Sequence, residues 1–199
     1  MISQIWHHFC LITKHRHKVI AHCKKAGILW QGLRHDLSKY SPTEFFAGVK
    51  YYQGNRSPNE KEREVLGYSL AWMHHKGRNR HHFEYWLDYD PKTKQMRPVK
   101  MPARFVAEMF CDRVAASKIY KGMDYDVRCP LQYFQNSTSR KRGWLHPETE
   151  QQLMYLLEVL AKKGESEAFA AVRAMIKAEK LEKKEKKSHA TGCTKSHTG

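Results

Sequence analysis

Apolar positions recur along this chain at helical spacing and almost nowhere alternate as they would in a strand. Ile5, Ile12, Val19, Cys23 and Ala26 fall within about 60° of one another on a helical wheel, so residues 3 to 25 read as one amphipathic helix ending at Gly27. A second helix is expected to start almost at once and to carry His35-Asp36. Ser41-Pro42-Thr43-Glu44 and Ser57-Pro58-Asn59-Glu60 each join an N-cap serine, a proline at the first helical position and a glutamate three residues after the cap. They predict a helix over 42–53, with Phe45, Phe46, Val49 and Tyr52, and another over 58–76, with Leu66, Leu70 and Met73 as its apolar stripe.

Further along, His81 to Trp86 opens a short helix, and 88–100 reads as a polar loop or short hairpin. Pro102 starts a long helix to about Tyr120, and Cys129-Pro130 starts one that carries Leu131, Tyr133 and Phe134 into the basic stretch 137–142. His146-Pro147-Glu148 opens a helix whose apolar face is Leu153, Leu156, Leu157 and Leu160. Beyond Gly164 the chain is amphipathic to Ile176 and then rich in lysine and glutamate. The expected architecture is all-α: a helical domain over 1–163, an amphipathic to charged helix over 164–187, and a disordered tail over 188–199.

Composition narrows the class. With 199 residues and 41% hydrophobic content the chain can bury one proper core. No apolar run approaches the ~18 to 20 residues of a membrane-spanning helix, and the first residues are too few and too polar for a signal peptide. A cytoplasmic protein with no membrane partner is expected. Its five scattered cysteines form no Cys-x-x-Cys pair and read as reduced thiols. The net charge of +16 calls for an anionic partner, either nucleic acid or a phosphorylated small molecule. Seven lysines and three glutamates from Lys177 onward contribute +4, leaving +12 before them, so the tail does not explain the basicity.

The candidate chemistry lies in the histidines and aspartates. His15 falls about 60° from the centre of the first helix's stripe and His17 about 140° from it, so His15 looks inward. If the chain reverses near Gly27, His15 and His35 come roughly level, as a shared metal needs. Asp112 lies on the same face as Phe105, Met109 and Ala116, where a carboxylate costs several kcal/mol without a compensating cation. That cation is a metal, or an arginine such as Arg34 or Arg104. His74, His75, His81 and His82 crowd into nine residues, with His74 at the edge of the apolar stripe. A set of His15, His35, Asp36, one of His74 and His75, and Asp112 suits a divalent metal. His81 or His82 completes a second metal position or binds substrate. The loop 88–100 is expected to border this site. There is no His-Glu-x-x-His element, glycine-rich phosphate loop or nucleophile elbow.

The order His15, His35-Asp36, His74-His75, Asp112 resembles that of the HD-domain superfamily of metal-dependent phosphohydrolases, and Lys39 resembles the lysine that often follows its His-Asp pair. The longer motifs His35-Asp36-Leu37-Ser38-Lys39-Tyr40-Ser41-Pro42, His74-His75-x-x-Arg78-Asn79-x-His81-His82-x-Glu84-Tyr85-Trp86, Glu108-Met109-x-x-Asp112 and His146-Pro147-Glu148-Thr149 are similar to an uncharacterised family, DUF5662, over about residues 10–160. The HD resemblance implies an HD-domain-like helical bundle. A divalent Mn, Fe, Co, Ni, Zn or Mg ion would be held by His15, His35, Asp36, His74 or His75, and Asp112. Lys39, Arg78 and Arg80 would receive phosphate oxygens, Asp36, Glu84 and His82 would serve catalysis, and Tyr85 and Trp86 would stack on a base. His15 and His35 stand closer in sequence here than their counterparts in many HD enzymes, which leaves His17 and His22 as further candidates. The expected function is metal-dependent hydrolysis of a nucleotide or other phosphoester. The alternative is a basic helical nucleic-acid-binding or phage accessory protein with structural histidines.

Overall fold

The computed structural model describes residues 2–54, 56–137 and 142–192. These residues form a predominantly all-α fold with one two-stranded sheet. Helix α1 (Ile2–Lys25) is followed by α2 (Leu29–Gly32), a single turn. The His-Asp pair therefore lies beyond a helix rather than on one. Asp36 adopts the left-handed conformation, with φ 53° and ψ 26°, and leads into a 3-10 turn over Leu37–Tyr40. Aspartate tolerates that region better than most residues, because its short polar side chain crowds the backbone little.

Helix α3 (Pro42–Lys50) starts where the serine-proline signal places it. The helix expected over 58–76 is instead two, α4 (Pro58–Leu66) and α5 (Leu70–Arg78). Gly67 ends α4 at φ 79°, a conformation glycine adopts freely. Ser69 then caps α5, its Oγ accepting the Trp72 N–H at 2.9 Å. The break rotates α5 against α4, so Leu66, Leu70 and Met73 form no buried stripe; all three are exposed, and Ala71 and His75 face inward.

After a 3-10 turn over Phe83–Trp86, strands β1 (Leu87–Asp90) and β2 (Gln95–Pro98) form an antiparallel hairpin with Leu87 opposite Pro98. Four helices complete the fold: α6 (Ala103–Lys121), α7 (Cys129–Gln135), α8 (Pro147–Lys163) and α9 (Glu165–Gly192). Helix α9 extends to Gly192, and the rest of the tail expected to be disordered lies outside the described residues. Beyond Lys177 it does more than solvate itself, since Glu179 accepts the Ala103 N–H at the start of α6 at 2.9 Å. No helix among the described residues is long and apolar enough to cross a membrane.

The core joins α1, α6, α7, α8 and α9. Val19, Cys23 and Ala26 meet Val106, Phe110 and Val114 of α6, which in turn cover Leu153, Leu156, Leu157 and Leu160 of α8 and Phe169 of α9. Each fully buried leucine contributes on the order of 2–5 kcal/mol relative to alanine. Ile5, expected in the α1 stripe, lies on the protruding end of that helix and is exposed. Helices α2 to α5 form a smaller layer over the other side of α1 and α6, and the functional residues lie between the layers.

Gly32 sets the distance between α2 and α1. A Cβ there would stand 2.5 Å from Cys23 Cβ, inside the fully buried wall of the core. Gly32→Ala is therefore expected to cost about 2 kcal/mol through overpacking and to lower Tm by roughly 4–8 °C. Gly77, helical with nothing within 4 Å of its Cβ position, should gain up to about 1 kcal/mol on replacement by alanine. Thermal unfolding followed by circular dichroism checks both signs.

Candidate metal centre

The site is assembled from four places. Helix α1 contributes His15, the turn after α2 contributes His35 and Asp36, and α6 contributes Glu108 and Asp112, one helical turn apart on the side away from the leucine core. Arg16 pins the turn by donating to the carbonyls of Leu33 and His35, the latter at 3.3 Å. The fourth place is α5, which contributes His75, with His81 and His82 just beyond it.

Donor atoms of Asp36, His75, His81 and His82 lie within 4.8 Å of one another, and so do those of His15, His35 and Asp112, and of His35, His81 and Glu108. His15 Nε2 is 2.9 Å from Asp112 Oδ1, and His35 Nε2 is 3.4 Å from Asp36 Oδ2 and 3.7 Å from Asp112 Oδ1. His81 Nε2 is 3.5 Å from Asp36 Oδ1 and 3.8 Å from Asp112 Oδ2. None of these approaches has hydrogen-bond alignment: His15 Nε2, His35 Nε2, His81 Nε2 and Asp36 Oδ1 are all buried without a hydrogen-bond partner. An orphaned buried polar atom costs about 1–3 kcal/mol, and a cation beside such atoms would satisfy them.

The far ring nitrogens, by contrast, are occupied. His35 Nδ1–H donates to Glu108 Oε1 at 2.9 Å, and His81 Nδ1 lies 3.3 Å from the same oxygen. His75 Nδ1–H donates to Glu44 Oε2 at 2.7 Å, and His74 Nδ1–H to Glu44 Oε1 at 2.6 Å. A carboxylate on the outer nitrogen fixes the tautomer and turns the other lone pair inward, the arrangement usual behind metal-ligating histidines. Buried His/Asp/Glu groups of this kind can hold a metal ion.

Charge balance points the same way. Asp36, Glu44 and Glu108 are 2%, 6% and 5% exposed, and Asp112 is half-buried. Lys39, 2.7 Å from Asp36 Oδ2, is the one lysine or arginine among the described residues that lines the adjoining cavity. Burial opposes ionisation of Asp36, yet His35, Lys39, His75 and His81 hold its carboxyl well below the usual range. Burial likewise opposes ionisation of Glu108, and the hydrogen bonds with His35 and His81 bring it down to about 2. Against its own burial, His81 is raised to about 9 by Glu108, Asp36 and Asp112. His82, facing imidazoles instead, is driven well below its ordinary value by burial and by His81 and His75.

Several expected residues stand elsewhere. His74 sits behind Glu44, away from Asp36, so His75 is the inward member of that pair. Arg78 and Arg80 are exposed and line no part of the cavity; Arg78 bonds its own helix and Arg80 covers Tyr85. Glu84 is half-buried outside the cavity lining, and no residue of the hairpin lines the cavity either. Asp112 pairs with His15, His35 and His81, and with neither Arg34 nor Arg104 among the described residues. His17 is exposed, and His22 is bonded to the Cys111 carbonyl at 3.2 Å. Glu44, Glu108 and Arg16 were not legible as functional residues. Glu108 carried a usable signal, a second carboxylate one turn before Asp112 on a largely apolar helix.

Over residues 4–159 the chain matches the family described as "Family of unknown function (DUF5662)". The chain belongs to this family. No curated protein and no solved structure matches it. In this DUF5662 protein the matched segment holds every residue of the cluster, and it ends inside α8, leaving α9 beyond it.

His22 supplies a separable stability effect. Burial, with Lys118 beside it, lowers its pKa from 6.5 to about 4. The unfolded chain therefore binds the extra proton first, and stability falls as pH drops from about 6.5 towards 4, by at most about 3 kcal/mol. The DUF5662 protein should lose more Tm between pH 7.5 and 4.5 than its His22→Gln variant. Equal losses would show that His22 is not the group responsible.

Proposed function

We propose that this protein is a metal-dependent phosphohydrolase of HD type, acting on a nucleotide or another phosphoester. One observation carries the reading: His15 Nε2, His35 Nε2, His81 Nε2 and Asp36 Oδ1 are buried without a hydrogen-bond partner, and they belong to neighbouring groups of converging donors, His15, His35 and Asp112 in one and Asp36 and His81 in another. The resemblance of the His15, His35-Asp36, His75, Asp112 order to HD-domain enzymes supplies the reaction class.

His15, His35 and Asp112 would hold the ion, with Asp36 3.4 Å from His35 and His81 3.8 Å from Asp112 beside them, mixed nitrogen and oxygen donors that suit a divalent first-row metal. Such an ion supplies Lewis acidity, polarising a phosphoryl oxygen and acidifying water towards neutrality. Lys39 receives a phosphoryl oxygen: its ammonium lines the cavity, and although burial works against the charge, Asp36 and Asp112 keep it protonated. Glu108 orients His35 and His81 from behind. Glu44, His75 and His82 form a chain at the cavity wall, with 2.7 Å from carboxylate to ring and 2.8 Å between the two Nε2 atoms. Only one of those nitrogens can carry a proton, so the chain holds a mobile proton for the leaving oxygen and can recover it from water. Arg78, Arg80 and Glu84 have no part in this scheme.

Metal analysis of the purified protein should give at least one transition metal ion per chain, lost in Asp36→Ala and Asp112→Ala. Glu108→Gln should weaken metal affinity about 10–100-fold while leaving the fold intact. With Mn, Co, Ni, Zn or Mg restored, wild type should hydrolyse a phosphoester from a panel of nucleoside monophosphates, cyclic nucleotides and simple monoesters. Sub-stoichiometric metal that the double substitution leaves unchanged would sink the reading. Duplex binding with a steep salt slope, surviving metal removal, would favour the nucleic-acid alternative.

A further inference from the structure

The cavity that meets the cluster runs along α1. His15 and His8 both line it, and their separation of seven positions spans about 10 Å of helix axis. Its volume is about 200 Å³, below the roughly 300–1,000 Å³ of pockets that enclose a drug-sized ligand. At the cluster end Lys39 is the one lysine or arginine among the described residues, beside Asp36, Glu44 and Asp112 in the lining. Beyond the one phosphoryl group that the metal and Lys39 receive, a second or third phosphate would meet those carboxylates with no further lysine or arginine in the lining, among the described residues, to offset it. Away from the cluster the wall is largely apolar, with Leu11, Ile12, Pro58, Ile119 and Tyr120, and Ser57 and Asn59 add polar groups to it.

His8 interrupts that wall. It is 5% exposed, it packs against the rings of Phe45 and Tyr52, and its Nδ1 has no hydrogen-bond partner. Gly48 opposes it: a Cβ there would fall 2.2 Å from His8 Nε2, so only glycine leaves the imidazole this place. Neither the metal cluster nor its proton chain uses His8.

Resting on the phosphohydrolase reading, we infer that the ligand is a small phosphomonoester whose single phosphoryl group meets Lys39 and whose short organic part carries a hydroxyl to His8. A hydroxyl donates and accepts, so it satisfies either tautomer of the ring. Burial, with Lys39 nearby, lowers the His8 pKa to about 4, so the neutral ring offers a hydrogen bond rather than a charge. A site built to bond a hydroxyl rejects a ligand lacking it, because the buried polar group is then left unpaired.

Calorimetric titration of the metal-loaded full chain with 4-hydroxybutyl phosphate, butyl phosphate and ATP tests the assignment. The hydroxy ester should bind at least tenfold more tightly than butyl phosphate, and ATP more weakly than both. His8→Phe should erase the hydroxyl preference, and His8→Gln should restore part of it. Equal affinity for the two esters, a preference that survives His8→Phe, or tighter binding of ATP overturns the inference. The wild-type comparison needs no variant, so misfolding of His8→Phe leaves the test intact. Product release in the same samples separates the two readings: selective binding without hydrolysis would refute the phosphohydrolase and leave the ligand assignment standing.

Discussion

Four carboxylates brought together with one lysine in a largely buried space are the constraint on which this structure turns. Asp36, Glu44, Glu108 and Asp112 would repel one another severely in a medium of low polarity. The chain answers with histidines, placing an imidazole between each carboxylate and its neighbours. The resulting alternation explains why His81 binds its proton so firmly while His82, one residue on, gives its proton up. It also explains why the cluster reads as a cation site: the Nε2 atoms of His15, His35 and His81 are left without hydrogen-bond partners.

The scaffold that holds these charges is the apolar core itself. Helix α6 has no clean polar side, because it is covered by α8 and α9 on one flank and by the cluster on the other. The same helix therefore fixes Glu108 and Asp112 as rigidly as it fixes Phe110. On the opposite wall the turn at His35-Asp36 is irregular, and it is held by contacts rather than by helix geometry. Gly32 lets it approach α1, Arg16 grips its carbonyls, and the left-handed backbone at Asp36 aims the carboxylate into the cluster.

Helix signals close to one another in sequence were legible. The starts of α3, α4 and α8 follow from serine or histidine before proline, and the leucines of α8 define their own buried face. Asp112 was found because a lone carboxylate on an apolar face demands an explanation, and His15 because its wheel angle points inward. The differences over 58–76 share one origin. A continuous wheel across 58–76 ignored the break at Gly67, and the rotation it introduces selected His75 rather than His74 and exposed Leu66, Leu70 and Met73. Glu44 fitted its reading as a capping residue and so hid its contact with two histidines thirty residues away.

The amino-acid sequence by itself determined the all-α class, the core helices and the supply of ligand-type side chains, because those depend on periodicity and side-chain chemistry within single segments. Which histidine faces Asp36, that Glu108 backs the cluster, and that Arg78, Arg80 and Glu84 stand outside the cavity were decided only by the packing of the two layers. A contact between segments depends on the angle at which helices cross and on where a turn rotates the chain. No local pattern encodes either.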